Sequence, residues 1–176
     1  MRVAVFLGSS MGRRPEYVRA TAQFGRDLAR AGAGIVYGGA SVGLMGVLAD
    51  AALAEGGEVI GVIPGGLFAA EVPHQGLTRL EVVTTMHERK SRMADLADGF
   101  AALPGGLGTL DELFEILTWR QIGLHAKPVG LLDLGGFWDG LTGLVDRLVA
   151  DGLVPQAGRD SLVRITDAGE LLRLLA

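Results

Sequence analysis

Short apolar or β-branched runs alternate along the chain with longer segments of helical period, and this alternation constrains the fold more than any other feature. A parallel strand pair needs a crossover long enough to hold a helix, so the pattern implies βαβ units and a parallel sheet. Strands are expected at 3–7, 35–37, 59–63, 80–84, 99–103, 129–132 and 162–165. Helices are expected at 15–30, 42–55, 87–96, 109–124, 138–150 and 167–175, with 67–78 as a long loop. Pro15 opens the first helix, where a missing N–H costs nothing. The expected fold is therefore α/β, a Rossmann-like doubly wound parallel sheet flanked by helices, with residues 1–176 as a single domain.

Apolar residues make up 49% of the chain and charged residues 20%, enough for a core and too apolar for disorder. A net charge of -4, few aromatics and no basic run argue against nucleic-acid binding. The absence of cysteine excludes disulfides, thiolate metal sites and a cysteine nucleophile, and fits a cytoplasmic location. His74, His87 and His125 are isolated and lack metal-ligand spacing, so no metal is expected. The apolar N-terminal run gives way to glycines and Arg13-Arg14, and no stretch reaches the ~20 residues of a membrane span.

In open parallel sheets, ligands sit at the carboxyl ends of the strands. Those ends carry Gly8-Ser9, Gly38-Gly39, Pro64-Gly65-Gly66 and Pro104-Gly105-Gly106. The last continues through Leu107, Gly108, Thr109, Leu110, Asp111 and Glu112, between a strand and a helix. Glycines let successive N–H groups point into one concavity, and the helix start adds a positive dipole end, so a phosphate fits. Thr109 can cap the helix or offer its hydroxyl to a phosphate oxygen. Glu112 has two readings: partner of Thr109 in a capping box, or a catalytic carboxylate. No G-x-x-x-x-G-K-[ST] occurs, the first strand ends without G-x-G-x-x-G, and Tyr37-Gly38 supplies no acid for a ribose hydroxyl. Triphosphate and dinucleotide sites are disfavoured. Arg89 shares a helical face with Met93 and Leu96; it is either half of a solvated Arg-Lys pair or an arginine in need of an anion.

Three segments together resemble the Lonely Guy family of cytokinin-activating phosphoribohydrolases, older members of which carry the label "lysine decarboxylase". They are the run from Tyr37-Gly38-Gly39-Ala40-Ser41 to Gly46, Met86-His87-Glu88-Arg89-Lys90, and Pro104 through Glu112. The resemblance implies a Rossmann-like homodimer, without metal or organic cofactor, that releases the base from nucleoside 5'-monophosphates, among them cytokinin riboside monophosphates and AMP. It places the catalytic pair on Arg89 and Glu112, and phosphate and ribose contacts on Gly105, Gly106, Gly108 and Thr109, with Glu71 and Lys90 also at the ligand. Gly8, Ser9, Gly38, Gly39, Leu107 and Thr118 complete the expected substrate-binding set. Ala40 stands where many members have glycine, so its Cβ is expected to tighten that turn.

The decarboxylase label is rejected. Of Lys90 and Lys127, the two lysines available for a Schiff base, Lys127 lies at a strand entrance away from the ligand edge. Arg89 could lower the pKa of Lys90, but a domain this small is an unsuitable scaffold for a pyridoxal phosphate enzyme. Apolar residues on more than one side of helix 110–124 suggest a dimer partner against one of them. The alternative to the enzyme is a carrier of the same fold, holding a nucleotide or nucleotide-derived cofactor without cleaving it.

Overall fold

A computed structural model describes residues 1–66 and 72–176, so Glu71 lies outside the described residues. Seven parallel strands form one sheet: β1 (Arg2–Phe6), β2 (Gly34–Tyr37), β3 (Val59–Pro64), β4 (Arg79–Val83), β5 (Gly99–Ala102), β6 (Val129–Leu132) and β7 (Leu162–Ile165). Their spatial order is β4-β3-β2-β1-β5-β6-β7. Val3 lies beside Ile35 on one side and Gly99 on the other, so β1 is central. The order reverses direction between β1 and β5, which defines the topological switch point.

Helices α1 (Pro15–Arg30), α2 (Gly43–Ala54), α3 (Met86–Leu96), α4 (Leu107–Gln121), α5 (Asp139–Ala150), α6 (Gln156–Asp160) and α7 (Ala168–Leu175) flank the sheet. Side-chain alternation along the strands divides the core in two. Val3 and Val5 join Phe24 and Leu28 of α1, Leu44 and Leu48 of α2 and Leu171 of α7. Ala4 and Phe6 join Met93 of α3, Leu113 and Ile116 of α4 and Val145 of α5. Strands buried on both faces read as unbroken apolar runs, as the inner strands do. The edge strand β4 is mostly exposed and carries a charge network: Glu81 binds Arg92 at 2.6 Å and Arg79 at 3.0 Å, which protects the edge from further pairing.

Most differences from the sequence expectations fall at element ends. Helix α4 begins at Leu107 rather than 109, because Gly106 takes the extended N-cap conformation, and it stops at Gln121, just before Gly123 turns to a φ of 83°. The strand expected at 80–84 spans Arg79–Val83. The five-residue α6 after Pro155 is too short to show a period and was not expected.

Candidate active site at the switch point

The loops leaving β1 and β5 are tied together where Gly8 N–H donates to the Pro104 carbonyl at 3.2 Å. The chain then turns into α4. Leu110 N–H makes the helical bond to Gly106 O at 3.1 Å, while the N–H groups before it precede any intrahelical acceptor. The N-cap, Gly106, has no side chain to cap this end. Gly106, Leu107, Gly108 and Thr109 line a cavity of about 240 Å³, so the amides and the positive end of the α4 dipole lie at its wall. Thr109 is buried, and a Cβ on Gly105 would collide with its hydroxyl.

Helix α3 supplies the cation. Its N-terminus carries a capping box: Glu88 N–H donates to Thr85 Oγ1 at 3.1 Å, and Thr85 N–H donates to Glu88 Oε2 at 3.2 Å. Those backbone donors, with that of Thr84 first, hold the Glu88 carboxyl below its ordinary range. One residue on, Arg89 points inward and is only 4% exposed, with Nη1 3.6 Å from Met86 Sδ. Its guanidinium lies over Gly38, where any Cβ would strike it. Arg89, Glu112 and Asp111 form the charged part of the cavity, Met45, Met86, Val5 and Leu7 the apolar part, and Gly8, Ser9 and Gly38 the remainder.

The capping reading of Thr109 and Glu112 is corrected by this geometry. Gly106 is the N-cap, Thr109 is the third helical residue, and Glu112 lies nearly a full turn further along. Glu112 instead shares the cavity with Arg89. The Thr-x-x-Glu box that does form is the one at Thr85.

Several expected site residues stand apart from this cavity. Gly39, at φ 80°, makes the turn after β2, and its carbonyl accepts from His74 N–H at 2.9 Å. Ala40 is buried, bridges to Pro73 and accepts a 3.1 Å bond from the Tyr37 hydroxyl, whose pKa burial pushes up. Positive φ occurs only at glycines among the described residues, so Ala40 takes no left-handed conformation at this turn. Gly105 faces an adjoining cleft with Tyr17 and Phe137. Thr118 is exposed and donates to the Phe114 carbonyl at 2.7 Å. Lys90 lies one step behind the cavity, 3.0 Å from Asp111 and 2.9 Å from Glu115. Lys127 donates to the Ala94 carbonyl at 2.7 Å, so neither lysine lines the cavity.

Met45, Met86 and Asp111 were not singled out from the sequence as site residues. An apolar side chain in a motif reads equally as core, and Asp111 was overshadowed by Glu112. The only available signal was the helical spacing that sets Asp111 beside Glu115.

His125 Nε2 lies 3.0 Å from the Ile116 carbonyl, and burial lowers its pKa. His74 lies 2.9 Å from Asp50. No helix among the described residues is long and apolar enough to cross a membrane.

The family described as "Possible lysine decarboxylase" matches residues 45–175. A probable cytokinin riboside 5'-monophosphate phosphoribohydrolase of Oryza sativa subsp. japonica is 47% identical over 174 residues, 99% of this chain and 77% of the relative. An Arabidopsis thaliana cytokinin riboside 5'-monophosphate phosphoribohydrolase is 44% identical over 174 residues, 99% of this chain and 80% of the relative. Among solved structures, the molybdenum cofactor carrier protein of Chlamydomonas reinhardtii superposes with a TM-score of 0.72 at 21% identity, covering 99% of this chain and 97% of the other. The molybdenum cofactor binding protein of Rippkaea orientalis gives 0.72 at 21%, covering 99% and 94%. At that identity the two structures speak to the fold alone.

Proposed function

This chain belongs to the cytokinin riboside 5'-monophosphate phosphoribohydrolase family, and from that premise we propose that it hydrolyses the N-glycosidic bond of nucleoside 5'-monophosphates, releasing the free base and ribose 5-phosphate. One observation carries the reading: a buried arginine and a glutamate share a single cavity with the glycine-capped start of a helix.

The phosphate takes the α4 amides from Gly106 to Thr109, with the Thr109 hydroxyl as a further donor. Arg89, whose guanidinium can form paired hydrogen bonds, orients the phosphate and ribose. As the bond between C1′ and the base nitrogen breaks, its electron pair leaves with the base and positive charge builds on the ribose. Glu112 stabilises that charge and accepts a proton from the water that attacks C1′, and the departing base nitrogen takes up a proton. The thioethers of Met45 and Met86 offer a polarizable wall to a flat base.

Both AMP and cytokinin riboside 5'-monophosphates are proposed as substrates. The test is to incubate the pure protein with AMP and with its N6-prenylated analogue and to follow free base by chromatography. Base from either supports the reading; nucleotide bound but intact in folded protein would replace it with a carrier.

The protein is further proposed to be a cytoplasmic homodimer. Along α4, Leu107 is 85% exposed and Phe114, two turns on, is also exposed, with Ile122 and Leu124 just beyond the helix. Such an apolar surface is suited to a second copy of the chain.

A further inference from the structure

Three carboxylates fall within five residues of α4: Asp111, Glu112 and Glu115. At helical spacing, 111 and 112 both neighbour 115, an arrangement that is destabilising for like charges unless a cation answers them. Asp111 and Glu112 line the cavity, and Glu115 is largely buried behind it. Lys90 faces this group from α3. Its side chain is 8% exposed, and its Nζ lies 3.0 Å from Asp111 Oδ2 and 2.9 Å from Glu115 Oε2. Successive residues of α3 thus divide the work, Arg89 lining the cavity and Lys90 bracing α4 from outside it.

We propose that Lys90 is a positioning residue for the hydrolysis: by bridging Asp111 and Glu115 it locks the start of α4 against α3 and keeps Glu112 a carboxylate. The inference rests on the phosphoribohydrolase reading and deepens it. Burial alone would lower the Lys90 pKa, but pairing with Glu115 and Asp111 outweighs it and holds the ammonium above its ordinary value, so Lys90 stays charged through the neutral range. Among the described residues, the segments bordering the cavity other than α3 and α4 contribute Val5, Leu7, Gly8, Ser9, Gly38 and Met45, none of which titrates. Among the described residues, the charged groups around Glu112 include Arg89 from α3 and Asp111 from its own helix at the cavity, with Lys90 and Glu115 one step behind it. Removing Lys90 leaves two uncompensated carboxylates beside Glu112, which raises its pKa.

The experiment follows adenine release from AMP against pH in the wild type, Lys90→Met, Lys90→Arg and Glu115→Gln. Lys90→Met is expected to move the acid limb of kcat upward by about one pH unit, with the KM for AMP within about threefold of wild type. Lys90→Arg restores the limb by keeping the charge, and Glu115→Gln moves it downward by removing a negative neighbour. An unmoved limb with a raised KM would make Lys90 a direct ligand contact and overturn the proposal. An unmoved limb with only a lower Tm would reduce it to a plain structural brace, and also overturn it. Should Lys90→Met fail to fold, Glu115→Gln decides, and an unmoved limb there is fatal. If the wild type releases no base, the functional reading falls separately. A 13C NMR titration of the Glu112 carboxyl in the same proteins then tests Lys90 without turnover, and an identical midpoint in the variants and the wild type overturns the proposal.

Discussion

A methyl group at Gly38 would occupy the space held by the Arg89 guanidinium. Gly38→Ala is therefore expected to displace Arg89 by a fraction of an ångström to an ångström, and to lower kcat/KM for base release by about 100-fold, a loss steady-state kinetics would register. A near-normal value would mean that the guanidinium position is not critical. Glu112→Gln keeps the shape but removes the charge. Base release is expected to fall at least about 100-fold while nucleotide binding, followed by calorimetry, persists. Near-normal release would displace Glu112 from its role. At this scale the sequence was informative wherever a residue type is chemically unusual for its place. An arginine on an apolar helical face and glycines at strand ends both mark the cavity. Lys90 and Thr118 were legible as polar residues, but whether a side chain faces a ligand, a neighbouring helix or its own backbone depends on tertiary placement.

Helices α1 and α2 approach closely because Gly25 has no side chain: a Cβ there would sit 2.7 Å from the Leu48 carbonyl oxygen. Gly25→Val is expected to force the pair apart and to destabilise the fold by about 1–3 kcal/mol, seen as a lower denaturant midpoint. An unchanged midpoint would mean that the pair shifts freely. At α3, Thr85→Ala removes the cap and is expected to cost about 1 kcal/mol, readable as a drop in Tm. The same cap predicts a pH effect. The Glu88 carboxyl is held below its ordinary value by backbone donors, so its contribution is present above the unfolded-state value near 4.5 and is lost as pH falls through the depressed folded value. The Tm difference between wild type and Glu88→Gln should accordingly shrink on acidification, and a constant difference would refute the assignment. The sequence carries Thr-x-x-Glu at Thr78, Thr85 and Thr109; the sequence reading weighed the one at Thr109, yet the box forms at Thr85. The local pattern was equally satisfied at Thr85 and Thr109. What separated them was Gly106, which takes the extended N-cap conformation three residues before Thr109 and starts the helix early.

For the whole molecule, strand–helix alternation was enough to give a doubly wound parallel sheet, because right-handed crossovers leave few other arrangements. It did not show that β4 follows β3 in parallel, or that the switch point falls between β1 and β5, since strand order is set by long-range pairing. The exposed apolar residues of α4 belong to this scale as well. Light scattering is expected to give about twice the 18.4 kDa of one chain, and Phe114→Glu to halve it. A wild type that runs as a single chain would remove the dimer. The donors at the head of α4 have an evolutionary consequence. They belong to the main chain, so drift in the surrounding side chains cannot delete them. On the proposed function, an anion anchor of that kind persists while the thioether walls are rebuilt, and descendants of one ancestor can diverge in the base they accept without re-inventing their hold on its phosphate.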